Sequence, residues 1–355
     1  MLKASEAALW EAYDVAMLDL DGVVYVGADA VPGAPGHLAK AAAAGMHLAY
    51  VTNNASRPPS TVAEHLRELG IDAADDDVVG SAQAAARLLS ERLDPGAPVF
   101  VIGGIGLFEA LEERGLRPVQ NLNDDPVAVV SGYHPDVLWR TVMAGALLVQ
   151  RGLLWVASNT DMTVPTPDGK APGNGVLVET VARFAGRQPI VAGKPQPPLF
   201  EETLRRVGGS HPLVVGDRLD TDIEGAVNTG YDSLLVMTGV TGLDALVAAT
   251  PGLRPSYVAA DLGGLSTPHP VPAATEGGFR LGGWSGTVED GALRMGGDGT
   301  ADDWWRVAAT TAWQHLDETG QPVGTEDARP PGSVSDQPGP TTGAQTAPTS
   351  TENQA

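Results

Sequence analysis

Val15-Ala-Met-Leu-Asp-Leu-Asp-Gly-Val-Val-Tyr25 is the stretch whose reading decides the fold. Val15 to Leu18 is a continuous apolar run, the pattern of a strand buried on both faces of a parallel sheet. It stops at Asp19, with Asp21 and Gly22 behind it. Open α/β sheets bind ligands at the carboxyl ends of their strands, so two carboxylates there stand where chemistry happens. Asp and Gly also favour turns, so the stretch alone reads equally well as a strand ending in a turn.

Working outward, the same arrangement recurs. His47-Leu-Ala-Tyr-Val51 runs into Thr52-Asn53-Asn54, and Leu213-Val-Val215 runs into Gly216-Asp217-Arg218-Leu219-Asp220-Thr221-Asp222. Between the first two runs a Gly- and Pro-rich loop, 27–35, leads to an Ala-rich helix stopping at Gly45. Thr61 and Glu64 have the spacing of a capping box for a helix ending at Gly70. Ser5 is placed to cap a short helix over 6–13. Strand–helix alternation predicts an α/β fold with a Rossmann-like parallel sheet.

The acidic run 72–77 marks a boundary, and the alternation restarts at about residue 82. Strands are predicted at 99–102, 127–130 and 153–157, helices at 107–114 and 139–150, and a long loop at 159–174. Such loops inside compact domains are often functional. Gly103, Gly104 and Gly106 lack the spacing of a dinucleotide fingerprint and read as a tight strand–helix turn. At Ile190 the chain is expected to rejoin the first sheet, which takes a last strand at 234–237 and ends near 265. The predicted organisation is a core of 1–81 and 190–265 with an inserted α/β cap, 82–189. In a separate segment, 277–318, Phe279–Val288 and Ala292–Met295 flank the hairpin signal Asp290-Gly291, and Asp302 is positioned to cap a helix carrying Trp304, Trp305 and Trp313. Residues 320–355 have no core-forming composition and are expected to be disordered.

The chain has 355 residues and a net charge of −22, with a pI near 4.5. Nucleic acid and anionic membrane need a basic face and are disfavoured as partners. There is no Cys, hence no disulfide framework or thiolate metal site. Nothing resembles a signal peptide or a membrane span, which points to a cytoplasmic protein.

Three strands ending in Asp19/Asp21, Thr52/Asn53 and Asp217/Asp222, with Lys194 nearby, suit phosphoryl transfer. Asp19 is the candidate nucleophile and Asp21 the general acid and base. Crowded carboxylates and a phosphate require a hard cation, and oxygen ligands suit Mg²⁺. Asp19, Asp217 and the Asp21 carbonyl are its candidate ligands, with Asp222 behind them. Thr52, Asn53 and Lys194 are the candidate phosphate holders.

Asp-Leu-Asp-Gly-Val at 19–23, Thr-Asn-Asn at 52–54, Gly-Lys-Pro at 193–195 and Gly-Asp-Arg-Leu-Asp-Thr-Asp at 216–222 resemble, in order, the four motifs of the haloacid-dehalogenase-like hydrolases. Asn54 joins the phosphate-binding set through the second motif. The resemblance covers about 14–265 and is nearest to the branch of p-nitrophenyl phosphatase-like, phosphoglycolate and pyridoxal phosphate phosphatases. That branch places a large cap between the second and third motifs, and the cap often mediates homodimers. The presence of Asp21 favours a phosphatase over a dehalogenase. The resemblance extends to actinobacterial members that carry a C-terminal extension and act on glycerol 3-phosphate.

Two rivals share parts of the pattern. An EF-hand loop beginning at Asp220 would need Glu where Tyr231 stands. A phospho-accepting signalling domain would place its Lys last, whereas Lys194 precedes the final acids. The substrate is expected to be a small phosphorylated metabolite chosen by the cap loop, through Asn159, Asp161, Thr163 and Thr166. Glycerol 3-phosphate is preferred over phosphoglycolate, pyridoxal phosphate or a nucleotide, because the loop has no aromatic ring for stacking and Lys170 as its only cation.

Overall fold

The computed structural model describes residues 1–166 and 169–331. The core is a six-stranded parallel sheet in the order Tyr257–Ala259, Asp232–Val236, Pro212–Gly216, Val15–Leu18, His47–Thr52, Val78–Gly80. Alternate residues of the central strands feed opposite faces. Ala16, Leu18, Leu48 and Tyr50 face the helices Ala34–Ala43 and Pro59–Glu68. Val15, Met17, Ala49 and Val51 face Ser81–Ser90 and Pro197–Val207. Both faces are covered, which is why these strands read as unbroken apolar runs. Each fully buried Leu, Val or Phe contributes roughly 1.5–3 kcal/mol.

Connections from Val15–Leu18 proceed outward on one side, and those from Pro212–Gly216 proceed outward on the other. The topological switch point therefore lies between these two strands, and their ends carry Asp19 and Asp217. A crevice at that point is where an open sheet of this kind binds its ligand.

A second parallel sheet of five strands has the order Ile190–Val191, Leu154–Ala157, Ala128–Ser131, Pro98–Ile102, Arg117–Val119. Several expectations change here. Ile190–Val191 pairs with Val156 and Ala157 in this second sheet, so the chain rejoins the first only beyond it. A short apolar run fits the edge of either sheet, and periodicity cannot choose between them. The 159–174 stretch is not all loop: Thr163–Thr166 and Gly169–Pro172 pair as an antiparallel ribbon. Val78–Gly80 and Tyr257–Ala259 are further core strands, three residues each, too short to register as a period.

Helix starts also differ. The first helix is only Leu9–Ala12, because Ser5 pairs through its backbone with His269. Pro59 opens the next-but-one helix after an extended Pro58, and Thr61 with Glu64 makes no capping box.

Residues 273–297 form a four-stranded antiparallel sheet, Ala273–Thr275, Gly278–Leu281, Trp284–Glu289 and Ala292–Gly297. Asp290 and Gly291 both have positive φ, 50° and 76°, as a primed two-residue turn requires. A second turn at Gly282-Gly283 breaks what reads in sequence as one long strand. Helix Ala301–Thr319 is capped by Thr300, whose hydroxyl accepts the Asp303 N–H at 3.2 Å. Asp302 instead accepts the N–H of Ala260, at the end of the core's edge strand, at 2.8 Å.

That helix covers the edge of the core. Trp304, Trp305, Ala308 and Trp313 pack with Leu235, Leu246, Val247 and Val258. Trp313 donates its indole N–H to Leu246 O at 2.7 Å, Arg306 donates to Val258 O at 3.2 Å, and Arg254 forks onto Asp317. Order also continues past Gly320. Gly324 bridges to the backbone of Gly291 and Leu293, and Val323 and Ala328 are buried. The expectation of disorder from 320 is corrected for 320–331, and its remainder lies outside the described residues. Among the described residues no helix is long and apolar enough to cross a membrane.

Candidate active site at the switch point of the core sheet

Asp19 leaves its strand with its N–H bonded to Val215 O at 2.8 Å. Lys194 arrives over the sheet ends from the second sheet, preceding a cis peptide to Pro195. Its ammonium lies 2.6 Å from Asp19 Oδ1 and 2.7 Å from Asp222 Oδ1. The Lys194 and Asp222 side chains are 4% and 1% exposed, against 13% for Asp19, so the opening to solvent lies on the Asp19 side. Burial pushes the Lys194 pKa down, but Asp19 and Asp222 outweigh it and hold the ammonium above the usual lysine range. Burial raises Asp222 beyond what Lys194 can restore, with Asp19 and Asp217 adding to the rise.

Asp217 is fully buried at the end of its strand. Its Oδ2 accepts the Val240 N–H at 2.6 Å, whereas its Oδ1 has no hydrogen-bond partner among the described residues. Burial and then Asp19 push this carboxyl up. Backbone closes over it without side chains. Gly22 has φ +85°, and a Cβ there would reach Asp217 Oδ2 at 2.5 Å; a Cβ at Gly239 would collide with the same oxygen. Larger residues at either place would displace the carboxylate.

Asp19, Asp217 and Asp222 each bring a carboxylate oxygen within 4.8 Å of the others. Among the described residues Lys194 is the one side-chain cation ion-paired with any of these three, through Asp19 and Asp222, and Asp217 keeps a buried oxygen without a partner. An uncompensated anionic cluster of this kind needs a hard cation, so the donor set fits Mg²⁺. Asp21 is solvent-exposed, yet protein crowded around its carboxyl costs it hydration. Burial, with Asp19 next, pushes it up to about 6.

The remaining expected residues divide. Thr52 is buried at its strand end, and its hydroxyl accepts the Asn54 N–H at 3.1 Å. Asn53 lies against Lys194: its Oδ1 accepts the Lys194 N–H at 2.8 Å. Asn54 turns away, its Oδ1 accepting from Ser56 N–H and hydroxyl at 2.8 and 3.0 Å. In the second sheet, Asn159 and Asp161 reach the core, both bonded to Asn53. Thr163 is exposed on the ribbon, and the Thr166 hydroxyl bonds Gly169 O at 2.7 Å.

Sequence reading passed over several contributors. Arg218 donates its N–H to Asp222 Oδ2 at 3.2 Å and forks onto Asp220. Asn174 donates to Asn159 O at 2.6 Å, and Thr238 donates its hydroxyl to Gly22 O at 2.6 Å. Arg218 lies inside the fourth motif and was visible there. Asn174 and Thr238 carry no local signal, because their partners are 15 and 216 residues away.

Comparison with known proteins identifies the family. The family model described as haloacid dehalogenase-like hydrolase matches residues 16–117, and a HAD-hydrolase-like model matches 191–265. D-glycerol 3-phosphate phosphatase of Mycobacterium tuberculosis is 42% identical over 291 residues, 82% of this chain and 80% of that protein. Acid sugar phosphatase of Staphylococcus aureus is 37% identical over 70% of this chain and 95% of its own. The crystal structure of the M. tuberculosis glycerol phosphate phosphatase in complex with magnesium superposes with TM-score 0.80 at 39% identity, covering 89% of this chain and 94% of that one. p-Nitrophenyl phosphatase from Archaeoglobus fulgidus gives TM-score 0.67 at 29% identity, covering 72% and 98%. With four motifs converging on one crevice and these relatives, the chain belongs to the haloacid dehalogenase-like hydrolases, among their phosphatases.

Proposed function

We propose that this phosphatase hydrolyses glycerol 3-phosphate to glycerol and phosphate, with Asp19 as nucleophile and Asp21 as general acid and base. The observation that carries the chemistry is the Lys194 ammonium between Asp19 and Asp222, in a carboxylate cluster completed by Asp217, whose Oδ1 is unpaired. Lys194 holds one oxygen of Asp19, leaving the other to attack phosphorus. As the bond from phosphorus to the glycerol oxygen breaks, Asp21 gives that oxygen its proton. The raised Asp21 carboxyl keeps a proton available near neutral pH. Asp21 then takes a proton from water, whose oxygen displaces Asp19 and releases phosphate. Asp19, Asp217 and the Asp21 carbonyl would hold Mg²⁺, with Asp222 fixing Lys194 behind them. The cation would neutralise charge gathering on the phosphoryl oxygens. Thr52, Asn53 through its main chain, and Lys194 would hold those oxygens; Asn54 supports the turn beside them.

Residues 82–189 are proposed as the cap that selects the leaving group, over a core formed by 1–81 and the chain beyond the Ile190–Val191 edge strand. The substrate choice rests on the 42% identity to an enzyme named for it. Phosphoglycolate is the second reading, favoured by Arg57, exposed and close enough to act on Asp21. Phosphate release over glycerol 3-phosphate, phosphoglycolate, pyridoxal phosphate and a nucleoside monophosphate, with Mg²⁺, tests the choice. A tenfold higher kcat/KM for any of the others replaces glycerol 3-phosphate and leaves the phosphatase reading intact.

A homodimer through the cap is also proposed. Trp139, Met143 and Leu147 recur every four residues on one face of helix Trp139–Gln150 and are 64%, 53% and 37% exposed. An exposed apolar stripe of this kind fits an interface. If the protein sediments as a monomer at micromolar concentration, that reading fails.

A further inference from the structure

Both places where the chain crosses between the two sheets are hydrogen-bonded to Asn53. Its carbonyl oxygen accepts the hydroxyl of Ser81, where the chain leaves the core sheet, at 2.6 Å. The same oxygen accepts Asn159 Nδ2 at 2.6 Å. Its side-chain oxygen accepts the Lys194 N–H at 2.8 Å, where the chain returns. Its Nδ2 donates to Lys194 O at 3.1 Å and to the two Asp161 carboxylate oxygens at 3.1 and 3.2 Å. Gly193 presses the returning chain onto this carboxamide, since a Cβ there would lie 2.5 Å from Asn53 Oδ1.

A primary carboxamide offers two donor hydrogens and one acceptor oxygen. Both kinds of group are occupied by protein, so the side chain has no donor left for a phosphoryl oxygen. The Asp161 carboxylate likewise meets the enzyme first. It is an anion near Asp19, and the Asn53 amide is the hydrogen-bond donor that offsets its burial. A substrate hydroxyl would have to compete with that amide.

We propose that Asn53 is a positioning residue and Asp161 its latch on the cap, together holding the cap loop down and the Lys194 main chain in place so that the ammonium stays at Asp19. This rests on the reading of Asp19 and Lys194 as the reaction centre. It differs from a specificity role for Asp161 in one respect: the latch contacts the enzyme, so its loss is felt whatever the substrate carries.

The test compares glycerol 3-phosphate with n-propyl phosphate, which has the same carbon chain and no hydroxyls, under saturating Mg²⁺. Asp161→Ala lowers kcat/KM by about 10²-fold on both substrates by the same factor, with most of the loss in kcat. Asp161→Asn, whose amide oxygen can face Asn53 Nδ2, recovers much of it. Asn53→Ala combined with Asp161→Ala costs little more than the larger single loss, as two halves of one contact should. A loss confined to glycerol 3-phosphate, additive losses, or a change under threefold overturns the latch. Should Asn53→Ala not fold, the two Asp161 variants on two substrates still decide. A wild type that releases phosphate from neither of these nor from phosphoglycolate, pyridoxal phosphate or a nucleoside monophosphate overturns the reading of the reaction centre, and the latch with it; one active only on another of these moves the same comparison of Asp161 variants to that substrate.

Discussion

The molecule places two parallel sheets with their carboxyl ends toward each other, and the two sets of ends differ. In the core sheet they carry Asp19, Thr52 and Asp217. In the second sheet they carry Gly103, Gly132 and Ser158-Asn159. One end concentrates charge, and the other presents backbone and neutral amides. Gly106 illustrates the second role: a Cβ there would come within 2.6 Å of Ala55 O, so helix Ile105–Glu113 packs directly on the loop beyond the second motif. On the function proposed above, the same architecture would serve as reaction floor in one sheet and as fitted lid in the other, with strand-end chemistry making the difference.

The comparison breaks most sharply at the floor. Asp19→Asn should abolish phosphate release by at least about 10⁴-fold, and a chelator should match it reversibly, with recovery on adding Mg²⁺. Turnover persisting in excess chelator contradicts the cation's role. Asp21→Asn should cost roughly 10²–10⁴-fold. Asp21, raised to about 6, must be protonated to act as the acid, so kcat/KM should decline as pH rises above about 6. Asp21→Asn should flatten that limb, as a pH–rate profile of both proteins would show.

The apolar edge sharpens the contrast, because changes there should move stability and leave the floor's chemistry alone. Trp313→Ala should destabilise by about 3–5 kcal/mol, read by denaturant midpoint, with kcat nearly unchanged below the transition. His269 is buried against Tyr257 and bonded to Gly264 O at 2.8 Å. Burial, then Arg306, lowers its pKa to about 4. Its folded pKa is depressed, so the neutral form's stabilisation is present above about 6.5 and lost as pH falls toward 4. The loss is of order 3 kcal/mol, and His269→Gln should remove most of that dependence. The same change of melting temperature between pH 6.5 and 4 in wild type and in His269→Gln contradicts this. The smallest effect separates a real cap from an apparent one: Thr300→Ala should cost about 1 kcal/mol, and Thr61→Ala clearly less.

Sequence by itself determined the floor. Apolar runs ending in Asp19, Thr52 and Asp217 specify buried parallel strands and what stands at their ends, because strand burial and side-chain alternation are local properties. Asp290-Gly291 specified its turn for the same reason: only certain residues accept two positive φ angles in succession. Tertiary structure decided the rest. Ile190–Val191 has the same pattern in either sheet, and pairing with Leu154–Ala157 is a competition between distant partners. Asp302 resembles a helix cap until Ala260, 42 residues back, claims its carboxylate. Asn53 and Asn159 look like ligand groups because amides bind ligands, yet each donates from its Nδ2 to chain more than 100 residues away. A hydrogen-bonding side chain advertises its capacity in the sequence; which partner takes it depends on what the fold brings within 3 Å, and no local pattern encodes that distance.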